Sequence, residues 1–92
     1  MSAAAATVPA LLVVDDEPAV LALVPQLFQD EFPVVTARNG AEALALLAER
    51  PIGVVIADQR MPGMTGTELL GRVAEMAPDV VRVVLTAFAD VD

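Results

Sequence analysis

Two residue types that carry much of protein chemistry are absent from this 92-residue chain, and positive charge is scarce. There is no cysteine and no histidine. Without cysteine, neither disulfides nor thiolate metal sites can form. Without histidine, zinc sites of the usual kind and histidine general-base catalysis are excluded as well. The basic residues are five arginines, with no lysine, against 13 acids, for a net charge of −8. A surface of that sign is repelled by polyanionic duplexes, so direct binding to DNA or RNA is not expected. Anionic membrane surfaces are disfavoured for the same reason. No apolar run approaches the roughly 20 residues of a membrane span. The opening Met-Ser-Ala-Ala-Ala-Ala-Thr lacks a basic n-region and a long apolar h-region. The cytoplasm is the expected compartment.

What is present is apolar. Hydrophobic residues make up 57% of the chain, which rules out a disordered polymer. Much of that share is alanine, so the core of large side chains is smaller than the figure implies. A chain of this size is one small domain with a thin stability margin. Residues 1–8 read as a flexible lead and residues 9–92 as the domain.

The apolar residues fall into short continuous runs, the pattern of parallel strands covered on both faces. Residues 10–14 form the first such run. Pro18 suits the first turn of a helix, and residues 17–30 follow with helical spacing. Pro25 interrupts that helix and is expected to kink it. A second strand is predicted from Phe32 to Ala37, then a turn at Asn39-Gly40. A second helix spans Ala41 to Glu49 and ends at Pro51. Strand three covers Ile52 to Ala57. Residues 58–66 form a loop. Thr65 or Thr67 caps helix three, with Glu68 placed for a capping box on Thr65. Helix three runs from Thr67 to Met76 and strand four from Val80 to Leu85. This alternation argues for parallel βαβ units with right-handed crossovers.

Three of the strands end in polar groups. Asp15-Asp16 follows the first, Asp58 the third, and Thr86 the fourth. Ligands of open parallel sheets bind at the carboxyl ends of strands, near the point where strand order reverses. Taken singly, these residues have plainer readings. Asp15-Asp16 suits a helix N-cap, Asp58 a turn before Pro-Gly, and Thr86 a strand-end hydroxyl. Met61 and Met64 read as loop packing, and Arg38, Arg50, Arg72 and Arg82 as solvated or surface-paired charges.

Together the motifs carry a resemblance. Val13-Val14-Asp15-Asp16-Glu17, Ile56-Ala57-Asp58-Gln59-Arg60-Met61-Pro62-Gly63-Met64-Thr65-Gly66 and Val84-Leu85-Thr86-Ala87 resemble the receiver domain of two-component response regulators over about residues 10–90. The resemblance implies an α/β fold: a doubly wound parallel sheet of flavodoxin-like receiver type. It would be cut to about four strands in the order 2-1-3-4 and three helices. It implies that Asp58 accepts a phosphoryl group from a sensor histidine kinase. It also implies a Mg2+ site built from Asp15, Asp16, Asp58 and the backbone carbonyl of Arg60. Converging carboxylates suit such a hard cation. Thr86 would be the switch hydroxyl, with the small Ala87 leaving room beside the phosphate. Such a domain is phosphorylated at its own aspartate and is not a turnover enzyme.

The same resemblance implies features beyond Asp92: a further helix, a fifth strand ending in lysine with an aromatic switch residue, and a last helix. The expectation is a truncated receiver with impaired chemistry and switching. Its open strand-four edge would invite self-association or domain swapping. The loop after Asp58 resembles receivers placed ahead of transcription-activating ATPase domains or HD-GYP phosphodiesterase domains, which suggests a fragment of a larger regulator. Two rival readings stand beside this one. The first is a receiver-like interaction module that works without phosphorylation. The second is an aspartyl-phosphate phosphohydrolase, which usually carries a second acid where this chain has Arg60.

Overall fold

In the computed structural model, residues 8–28 and 30–86 are described. The expected N-terminal lead, apart from Val8, and Ala87 lie outside them. Seven elements alternate strictly: β1 (Ala10–Val14), α1 (Pro18–Phe28), β2 (Val34–Ala37), α2 (Gly40–Glu49), β3 (Ile52–Asp58), α3 (Gly66–Met76) and β4 (Val81–Leu85). The strands form one parallel sheet in the order β2-β1-β3-β4. Fold class and strand order are as the sequence predicts.

Several boundaries differ, each for a local reason. The first helix begins at Pro18 and ends at Phe28, short of residue 30, and runs through Pro25. The backbone N–H groups of Glu31 and Phe32 fold back onto the Phe28 carbonyl, so β2 starts at Val34 rather than Phe32. Asn39-Gly40 is not a free turn: the Asn39 side chain caps α2, which begins at Gly40. Thr65 rather than Thr67 caps α3, with the capping box to Glu68 complete, so that helix starts at Gly66. Asp58 is the last residue of β3, and β4 begins at Val81 because Val80 closes a turn back onto Ala77.

Side chains alternate across the sheet. Leu12, Val14, Val55 and Ala57 face α2 and α3, where they meet Ala43, Leu69 and Val73 in one buried cluster. Leu12, Val55, Leu69 and Val73 are fully shielded there. Leu11, Val13, Val54 and Ile56 face the other way, the last two beside the α1 residues that line grooves on that side. α1 contributes no buried residue, and every position of β4 is exposed. The β1–β3 register slips between Ala10 and Leu11, because β3 carries Gly53 as an extra residue. A Cβ at Gly53 would lie 3.0 Å from the Pro9 ring, so glycine admits the close approach there.

Candidate functional site

The sheet reverses direction of winding between β1 and β3, and the carboxyl ends of those strands bring the acids together. The backbone N–H of Asp15 donates to the carbonyl of Ala37 on β2. Its carboxylate oxygen Oδ1 accepts from the N–H of Glu17 at 2.9 Å. Asp15 is thereby fixed and buried, while Asp16 beside it is exposed. Asp58 pairs in register with Leu85, and the next N–H, that of Gln59, donates to the Leu85 carbonyl at 3.0 Å. One carboxylate oxygen from each of Asp15, Asp16 and Asp58 lies within 4.8 Å of the others.

Such convergence is costly for anions. Burial raises the Asp58 carboxyl above its ordinary range, and the charges of Asp15 and Asp16 push it further up. Backbone N–H groups of Arg60 and Gln59 oppose the shift by hydrogen-bonding the carboxylate. Three oxygen donors that repel one another at this distance fit a hard divalent cation, which would relieve the repulsion. The donor chemistry therefore suits the metal that the sequence motif implies.

The loop after Asp58 is held by α3. Gly63 takes φ +85°, a left-handed conformation suited to glycine. Met61 is buried, and Met64 packs against Gly40, where a Cβ would lie 2.7 Å from its sulfur. Both methionines are packing residues, as expected. Gly66 is the tightest point: a Cβ there would stand 2.5 Å from the carbonyl oxygen of Asp58. Beside the acids, a groove of about 460 Å³ is lined by Asp16, Arg38, Asn39, Gly40, Pro62, Gly63 and Met64. Arg38 pairs with Glu42 at 2.8 Å on the surface, as a plain surface charge would. Thr86 is exposed and follows directly on the Asp58–Leu85 pairing.

Sequence reasoning named all three acids, and the fold brings them together. It missed Gln59, whose side chain reaches eight residues along the chain to Thr67. It also missed the need for glycine at position 66. The Thr65–Glu68 capping box gave a local signal for where α3 starts, but no local pattern reports a contact across eight residues.

The response regulator receiver domain family matches residues 11–92. The chain belongs to that family. It is 43% identical over 80 residues to the hydrogenase transcriptional regulatory protein HoxA of Cupriavidus necator, covering 87% of this chain and 17% of HoxA. The receiver domain of an HD domain-containing protein from Pseudomonas fluorescens superposes with a TM-score of 0.85 at 33% identity, over 90% of this chain and 67% of that one. The response regulator TrrA of Thermotoga maritima, solved in complex with Mg(2+)-BeF, superposes with a TM-score of 0.81 at 35% identity, over 88% of this receiver and 71% of TrrA. The receiver thus spans about a sixth of the full-length regulator HoxA and about two thirds of the two solved chains. The family is a signalling one and not a classical enzyme family. Among the described residues no helix is long and apolar enough to cross a membrane.

Proposed function

We propose that this receiver works in the cytoplasm and takes up a phosphoryl group on Asp58, delivered by a phosphohistidine of a sensor histidine kinase. The observation that carries the reading is the meeting of Asp15, Asp16 and Asp58 within 4.8 Å at the carboxyl ends of β1 and β3. An Asp58 carboxylate oxygen attacks phosphorus, and the bond from phosphorus to the donor nitrogen breaks, its electron pair leaving with the imidazole. The imidazole belongs to the partner, since this chain has no histidine. Asp15, Asp16, Asp58 and the backbone carbonyl of Arg60 would hold Mg2+. When bound, that ion neutralises charge on the transferred phosphoryl oxygens. Asp15 is fixed by its two hydrogen bonds, so it keeps its place as Asp58 reacts. Thr86, one residue beyond the register partner of Asp58, would be the switch hydroxyl that reads the modification. The reaction ends on the protein itself, without turnover.

The test is intact-mass spectrometry after incubation with acetyl phosphate and Mg2+, beside an Asp58→Asn control. A phosphoryl increment that disappears in the control supports the reading. Its absence in a folded protein that still binds Mg2+ overturns it. A second reading, an interaction module that works by assembly, draws on the exposure of β4 and of Leu23 and Leu27 on α1. Self-association through the β4 edge would follow. Light scattering at micromolar concentration, with and without phosphorylation, separates the two readings. A dimer indifferent to phosphorylation favours assembly, and a monomer removes it.

A further inference from the structure

α3 begins with N–H groups that need acceptors from outside the helix. Thr65 Oγ1 takes the N–H of Glu68, and Glu68 Oε1 takes that of Thr65 in return. The two donors between them go to a different residue. The carbonyl of Gln59 accepts from the N–H of Gly66 at 3.1 Å. The side-chain oxygen Oε1 of Gln59 accepts from the N–H of Thr67 at 2.8 Å and from its hydroxyl at 2.7 Å. The N–H of Gln59 meanwhile donates to Leu85 on β4 and helps hold the Asp58 carboxylate. One residue thus joins the acid, the edge strand and the first turn of α3. No slack exists where they meet, since Gly66 lies hard against the Asp58 backbone.

We propose that Gln59 is a positioning residue for the acidic site. Resting on the reading of Asp58 as a metal-assisted phospho-acceptor, its side chain clamps α3 to the end of β3. The clamp fixes the backbone of residues 58–60, so that the Asp58 carboxylate meets Asp15 and Asp16 in the geometry a divalent cation requires. It acts through that backbone and touches neither cation nor phosphoryl group. Outer partners of metal ligands commonly set affinity within a factor of about 10–100.

The experiment measures Mg2+ affinity by titration calorimetry, and the rate of phosphoryl uptake from acetyl phosphate, in five proteins. These are wild type, Gln59→Met, Thr67→Val, Thr67→Ser and Thr65→Ala. Circular dichroism checks that each is folded. Gln59→Met removes both side-chain contacts and should weaken Mg2+ binding about tenfold, with slower uptake. Thr67→Val removes one contact and should fall between. Thr67→Ser keeps both and should match wild type. Thr65→Ala weakens the same helix start without touching Gln59, and should leave Mg2+ affinity unchanged. Wild-type affinity and uptake in Gln59→Met would overturn the proposal. So would an equal loss in Thr65→Ala, which would mean that helix stability alone is being read. A wild-type protein that binds no Mg2+ fails the phospho-acceptor reading first, and the positioning role with it.

Discussion

The two faces of the sheet are built to different standards. Toward α2 and α3, Leu12, Val55, Leu69 and Val73 have no exposed surface, and the helices are capped by side chains. Toward α1, the helix buries no residue, and Leu27 is 64% exposed. Grooves of about 240 Å³ and 430 Å³ remain between α1 and the strands. Both contain apolar side chains from Phe28 and Ile56. The helices contribute unequally to the core: α3 buries Leu69 and Val73, whereas α1 leaves Leu11 and Val13 of β1 to be the buried residues on its side. The acidic cluster lies at the rim between the two, anchored from the well-packed side through Gln59, Gly66 and α3.

The largest effect that separates the faces is expected from truncating the core. Leu69→Ala should cost about 2–5 kcal/mol, enough to unfold much of a small domain. Leu27→Ala should stay within about 0.5 kcal/mol. Urea denaturation of both variants checks this, and equal losses would mean that α1 is as structural as α3. Next comes Gly66→Ala, which forces a methyl group against the Asp58 carbonyl. A cost of about 1–3 kcal/mol is expected, accompanied by weaker Mg2+ binding, because the displaced backbone carries the acid. A stability loss with unchanged Mg2+ affinity would separate α3 from the site.

A smaller loss, about 0.5–2 kcal/mol, is expected from Thr65→Ala through its missing cap. Thermal melts, in which 1 kcal/mol moves the midpoint of a domain this size by about 4–8 °C, resolve it. The charge on Asp58 gives an effect of opposite sign. Its folded pKa lies above the unfolded one, so the folded state binds more protons between them. Stability in EDTA should therefore rise as pH falls through that window, and the gain is complete below the unfolded value. Asp58→Asn should melt higher than wild type at pH 7 in EDTA, and the advantage should shrink toward acid. Mg2+ should close the gap at pH 7. A variant that melts lower at pH 7 would show that the carboxylate is stabilising where it stands.

The sequence made the strand ends legible because continuous apolar runs stop abruptly at Asp15, Asp58 and Thr86. The acidic cluster was legible in those three positions together, whereas the strand order came with the resemblance to receiver domains. Boundaries shifted where a side chain or carbonyl captured nearby backbone, as Asn39 does for α2 and Phe28 for the approach to β2. Gln59 stayed hidden because its neighbours in the sequence have nothing to do with its partners in the fold. The slip at Gly53 was equally silent, since a continuous apolar run looks the same with or without an extra residue.

That slip has a consequence for how the strand tolerates change in length. β3 is one residue longer than its pairing with β1 requires, and the surplus sits beside Ala10, at the end farthest from Asp58. From Leu11 onward the two strands advance in step to Val14 and Ala57. β3 is in effect measured from its carboxyl end, with its error deposited at the start. Loss of Gly53 would leave an even ladder and the same partner for every later residue. The chain can thus absorb the loss of this one residue at the start of the strand without moving the carboxylate that the strand presents at its end.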